Sequence, residues 1–193
     1  MKPTLADYKD EHRDRPGAIL GGGAGLPEQL GLLTTDTVLF SVNEYATMLT
    51  DCDYVVGNDP MDCFDPTRDW PGEFKALPGV KFSIIPRMSD IDPAGAWDAG
   101  RSAGTATWLA LHMGCNPVIL CGMDCYTRDR DYFFCGPGET PNRDKHGDAW
   151  EVHYPLEGQL RVWRLCFEQC PNPERIRATE PPLTEIFPQY GGG

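Results

Sequence analysis

Apolar and polar positions follow two rhythms along this chain of 193 residues. Short runs at 18–20 (AIL), 37–42 (TVLFSV), 54–57 (YVVG), 80–85 (VKFSII) and 117–122 (PVILCG) are almost continuously apolar. Strands buried on both faces of a parallel sheet have this composition. Between the runs lie helical patterns at 26–33 (LPEQLGLL), 43–50 (NEYATMLT) and 105–114 (TATWLALHMG). In the last of these, Ala106, Leu109, Ala110 and Met113 follow i, i+3, i+4, i+7 spacing, which predicts a helix packed by one face. Residues 156–170 (LEGQLRVWRLCFEQC) predict a further helix with Leu160, Trp163, Phe167 and Cys170 on or near one face, and 175–180 (RIRATE) a last strand. Strand, helix, strand order calls for a parallel sheet with right-handed crossovers. The expected fold is therefore α/β: a single Rossmann-like domain over 1–190, mostly parallel sheet with helices on both faces, and a flexible tail at 191–193.

Two stretches break the rhythm. Residues 59–78 are rich in Pro, Asp and Trp and read as a loop with one helical turn, and the polar insertion 126–150 reads as a lid over a site. Charge narrows the partners: 17 Lys and Arg against 29 Asp and Glu give −12, which opposes extended contact with a nucleic-acid backbone. A small charged ligand, held locally, is compatible with it. No apolar run approaches the roughly 20 residues that span a bilayer. The opening MKPTLADYKDEHRDRPG lacks the apolar segment of a secretion signal, and of the eight cysteines Cys115, Cys121 and Cys166 lie in apolar runs, where a free thiol packs as a small hydrophobe. The expectation is a cytoplasmic protein with reduced cysteines. A homo-oligomer is compatible with all of this.

In open α/β sheets ligands bind beyond the carboxyl ends of the strands, so the residues that follow each strand are the candidates. The first strand is followed by Gly21-Gly22-Gly23-Ala24-Gly25, where missing side chains let backbone amides approach an anion at a helix start. The run matches neither G-x-G-x-x-G with its acid nor G-x-x-x-x-G-K-[ST], so a tight turn is the alternative. Asn43 and Glu44 follow the second strand, Gly57-Asn58-Asp59 the third, and Gly122-Met123-Asp124 the fifth, while Ser102-Ala103-Gly104-Thr105 opens the helix at 105–114. The candidate nucleotide-binding set is thus Gly21, Gly22, Gly23, Asn43, Asn58, Asp59, Ser102, Gly104, Thr105, Gly122 and Asp124. Asn43, Asn58 and Asp124 fit helix caps or Asx turns equally well.

Other chemistry is less well marked. Cys121, Cys125, Cys135 and His146 have poor spacing for structural zinc, and no metal site is assigned. Asp124, Asp129 and Asp131 leave Mg2+ with a substrate pyrophosphate open. No G-x-S-x-G occurs, and nothing pairs one Cys with one His. His12 lies in the charged leader and His112 off the apolar stripe, so both read as structural or solvated; His146 falls in the lid. His153, just before the last helix, is the first candidate for a general base or leaving-group acid, with Tyr154 beside it to hold phosphate. A loop histidine bonded to backbone is the alternative.

The segments ILGGGAGL, LFSVNEYA, YVVGNDP and SAGTATWLALHMGCNPVILCGMDCY together resemble two related groups: bacterial sialyltransferases with a Rossmann-like fold, and the 6-hydroxymethylpterin diphosphokinase-like family. The resemblance implies that Gly21, Gly23, Asn43 and Asn58 contact a donor nucleotide's ribose and phosphates, Ser102 and Thr105 its phosphate or base, and Gly122 to Asp124 its base or ribose. It also implies a CMP-sugar donor used without structural metal. The chain departs from the pattern in three places: Ala24-Gly25 replaces Pro-Ser, Ala103 interrupts Ser-Gly, and Glu157 occupies the position of the catalytic histidine, while His153-Tyr154 matches the neighbouring His-Tyr. Three functions are implied. The first is a sialyltransferase-like glycosyltransferase in which His153 or Glu157 deprotonates the acceptor. The second is an Mg2+-dependent diphosphokinase passing pyrophosphate from ATP to a hydroxymethyl acceptor, and the third a non-catalytic nucleotide-binding module.

Overall fold

The computed structural model describes residues 1–58, 69–97, 101–125, 131–139 and 156–191. One open sheet of six parallel strands organises them: β1 (Gly17–Leu20), β2 (Val38–Val42), β3 (Tyr54–Val56), β4 (Val80–Phe82), β5 (Val118–Cys121) and β6 (Ile176–Ala178), in the order β4-β3-β2-β1-β5-β6. After β4 the chain crosses to the far side of β1, so the order reverses between β1 and β5, which is where open α/β sheets form a crevice. The register aligns Leu20 with both Ser41 and Cys121, and Val56 with Val42 and Phe82. The segments expected to carry a site therefore leave the sheet along a single edge.

Strand alternation divides the core into two layers, because successive side chains point to opposite faces. Ile19, Phe40, Val56, Val118 and Leu120 join Ala106, Leu109 and Ala110 of α4 (Ser102–His112) and Leu160, Trp163 and Cys166 of α5 (Leu156–Gln169). Ala18, Leu20, Ile119 and Cys121 pack instead with Leu26 of α2 (Leu26–Leu30), and Val55 with Phe74 of α3 (Trp70–Ala76). Helices thus cover both faces. The helix α4 is buried almost all round, with Ser102, Gly104, Thr105 and Thr107 covered as well as its apolar residues, so the expectation of one-faced packing is corrected. Small residues on every side explain it, since none holds the helix away from the sheet or its neighbours.

Other boundaries also shift. The pattern at 26–33 yields only one turn and a half of helix, and that at 43–50 a 3-10 turn over Tyr45–Met48. The one helical turn expected within 59–78 is the seven-residue α3, whose Asp69 side chain accepts from the Gly72 amide as its cap. The charged leader is not loose: it contains α1 (Leu5–Tyr8) and crosses the amino-terminal side of the sheet, His12 N–H and Asp14 N–H donating to Met113 O and Gly114 O. His12 is half-buried, its Nε2 2.8 Å from the Tyr54 hydroxyl, and His112 Nε2 lies 2.8 Å from Leu5 O while its ring stacks on Trp108. Both are structural, and neither is simply solvated. No helix among the described residues is long and apolar enough to cross a membrane.

Candidate functional site

At the reversal point the glycine turn after β1 packs directly on the turn after β5. A side chain at Gly21 would strike Gly122 O, and one at Gly23 would lie 2.6 Å from that oxygen and 2.7 Å from Asp124 Oδ1. Gly21 N–H donates to Cys121 O at 2.8 Å, Gly23 N–H to Gly122 O at 2.9 Å, and Ala24 N–H to Asp124 Oδ2 at 2.9 Å. The concave backbone expected to cradle a phosphate here faces the protein's own carboxylate, and Asp124 is 2% exposed. The glycines are required for close approach of two loops, whatever else they do.

Gln29 completes this closure and escapes notice in the sequence. Its Oε1 accepts from Gly122 N–H and from the Thr179 hydroxyl, each at 2.7 Å, and its Nε2 donates to Glu180. One amide side chain on α2 therefore ties the ends of β5 and β6 together. A polar residue at a helix position facing the sheet was the available signal.

Across β1, the ends of β2, β3 and β4 meet the start of α4. Asn58 is 8% exposed and fully engaged: its backbone N–H donates to Ser102 Oγ at 2.9 Å, its Nδ2 to Thr105 Oγ1 at 2.6 Å, and its Oδ1 accepts from Ile84 N–H at 3.3 Å. Ser102 and Thr105 thus turn their hydroxyls toward Asn58, while Gly104 is buried within the same helical turn. Asn43 contrasts with Asn58. Its backbone takes the left-handed conformation at φ 54°, with N–H donating to Val56 O and carbonyl accepting from Ser41 Oγ at 2.8 Å. Its Oδ1 is buried and has no hydrogen-bond partner among the described residues. The missing side chain of Gly57 leaves room for it, since a Cβ there would lie 3.1 Å from that oxygen.

An aromatic shelf covers the glycine turn. Tyr45 and Tyr132 stack with centroids 4.8 Å apart, Phe134 lies on Tyr132 at 5.0 Å, and the tyrosine hydroxyls approach to 3.3 Å. Phe133 N–H donates to Gly22 O at 3.0 Å, and a Cβ at Gly22 would strike both tyrosine rings, 2.7 Å from Tyr132 and 3.0 Å from Tyr45. Residues 131–139 of the expected lid are therefore docked on the first turn. Their signal was the aromatic triplet at 132–134 inside a polar stretch.

The remaining candidates separate. Glu157 is exposed on the first turn of α5 and paired with Arg164, Oε1 to NH1 2.7 Å. His153, Tyr154, Asp59, Asp129 and His146, with the rest of the expected lid, lie outside the described residues. Burial pushes the Cys121 and Cys125 thiols up to about 12, which keeps them protonated at neutral pH. Among the described residues no group of three or more His, Cys, Asp or Glu side chains gathers as ligands would, and Asp129 of the Mg2+ arrangement lies outside them.

No family model and no curated protein matches the sequence. Among solved structures, the chain is similar to the sialyltransferase CstII from Campylobacter jejuni in complex with a substrate analogue, CMP-3FNeuAc. The likeness has a TM-score of 0.52 at 12% identity and covers 91% of this chain and 86% of that one. At that identity the likeness shows a shared α/β fold and carries no statement of role.

Proposed function

We propose that this chain is a nucleotide-dependent transferase of the sialyltransferase-like kind, holding a CMP-type sugar donor at the carboxyl edge of the sheet. The observation that carries the reading is the Asn43 side chain: a buried acceptor oxygen without a partner among the described residues, on a backbone held left-handed, against Gly57 at the end of β3 and two residues before Tyr45 of the aromatic shelf. An unmet buried acceptor costs about 1–3 kcal/mol, so a ligand that brings a donor to it gains what the empty fold lacks. Hydroxyls of a ribose or the amino group of a cytosine supply such a donor. The similarity in fold to a protein solved with a CMP-linked analogue supports the choice of nucleotide.

In this reading an acceptor hydroxyl attacks the donor sugar as CMP departs, and the positive end of the eleven-residue α4 stabilises charge growing on the phosphate. His153 or Glu157 takes the acceptor proton, and Tyr154 steadies the phosphate. A second reading has its own support: the pairing of Glu157 with Arg164 on an exposed helix face leaves that carboxylate engaged elsewhere, as in a binding module without a base.

A thermal-shift panel of CMP, CDP, UDP, ATP and NAD, each with and without Mg2+, tests the proposal, because a ligand specific to the folded state raises its stability by mass action. Metal-independent stabilisation by CMP is expected. Stabilisation by ATP that requires Mg2+ points instead to the diphosphokinase, and CMP binding without sugar transfer or donor hydrolysis points to the module.

A further inference from the structure

Two cysteines far from the nucleotide edge are placed as a pair. Cys166, on the last turn of α5, and Cys170, just beyond its end, have their sulfurs 3.5 Å apart, and both are buried at 1% and 5% exposure. Elsewhere burial pushes the Cys52, Cys115, Cys121 and Cys125 thiols up to about 12. Between Cys166 and Cys170 either thiol can donate; with Cys166 as the donor the bond holds Cys170 below the ordinary thiol value and Cys166 above it. Cys170 is thereby the more easily ionised of the two and the more exposed.

From this geometry we propose that Cys166 and Cys170 form a thiol–disulfide exchange site for small-molecule disulfides, converting reversibly between dithiol and intrahelical disulfide. The Cys170 thiolate attacks one sulfur of the small disulfide, forming a mixed disulfide and expelling one small thiolate. Cys166, losing its proton to solvent, then attacks the Cys170 sulfur and expels the second. Two electrons pass to the small molecule, which leaves as two thiols once the two cysteine protons are taken up. Closure asks the chain to yield, because Cβ atoms four apart on a helix stand about 5–6 Å apart and a disulfide needs about 3.5–4.5 Å. The chain can yield there: the Cys170 N–H to Cys166 O bond closes the turn just past the end of α5, and Pro171, left-handed Asn172 and Pro173 follow. A disulfide formed under such constraint is readily reduced again.

Both cysteines fall in one tryptic peptide, Leu165–Arg175, which makes the test direct. The full-length folded protein is equilibrated in graded mixtures of reduced and oxidised glutathione, denatured, alkylated, digested and weighed. The expected product under oxidising mixtures is this peptide two hydrogens lighter and unalkylated, returning to the doubly alkylated form after dithiothreitol. Cys170→Ser should abolish the lighter form; if that variant does not fold, the wild-type peptide still decides. Full alkylation of both cysteines across the series, or arrest at a glutathione adduct on either, would overturn the proposal.

Discussion

Two halves of the same sheet edge differ in what their polar atoms are doing. Where β1 meets β5, the turn amides, the Asp124 carboxylate and the Gln29 amide satisfy one another. Where β2 meets β3, Asn58 is equally engaged, yet Asn43, directly after Val42 at the end of β2, keeps a buried oxygen unmet. The first half looks like a binding motif and behaves as a clasp. The second carries no motif and holds the atom that a ligand would satisfy. Glycines, asparagines and acids at strand ends are thus shared vocabulary for closing loops and for binding, and only the hydrogen-bond accounting separates them.

Substitutions can break this contrast, and the clasp should suffer most. Gly21→Ala forces a methyl against Gly122 O, and roughly 3 kcal/mol of stability should be lost, measured by urea unfolding. A fully stable Gly21→Ala protein would show that the turn is not packed as described. Gln29→Ala should cost about 2 kcal/mol by stranding the Gly122 amide, and Asn58→Ala a similar amount. Asn43→Gly sharpens the other side: the left-handed backbone suits glycine and no bond of the side chain is lost, so stability should stay within about 0.5 kcal/mol. Nucleotide affinity should nevertheless fall about tenfold.

The smallest effect concerns the opposite edge of the sheet. Burial holds the His12 imidazole below its ordinary value, so the unfolded chain takes up a proton that the folded chain resists. Stability contributed by neutral His12 is present at higher pH and should decline as pH falls through about 6.5. His12→Gln should flatten that decline in unfolding midpoints, and an unchanged pH profile would place the titration elsewhere.

Much of the fold was legible because strands buried on both faces leave continuous apolar runs, and all five runs hold strands, as does the stretch 175–180. Helix extents were less so. At α4, apolar periodicity suggested one buried face, but the small residues between let the whole helix sink. The leader's charge concealed its docking, since its contacts run mainly through backbone groups that composition does not report. At the site, position along the edge could be read from strand order, whereas the state of each polar atom could not. Nothing in the letters distinguishes the engaged Asn58 from the unmet Asn43, because the difference lies in whether Ser102, Thr105 and Ile84 come within reach. Gln29 and the Tyr45–Tyr132 shelf were hidden for the same reason: each acts through a partner distant in sequence.

Calorimetric titration of CMP into the wild-type chain and into Asn43→Gly, with the unfolding midpoint of each recorded alongside, addresses the central claim most directly. The account predicts metal-independent binding to the wild type and about tenfold weaker binding to a variant of unchanged stability. Absence of CMP binding by the wild type, or equal affinity in the two proteins, would contradict it.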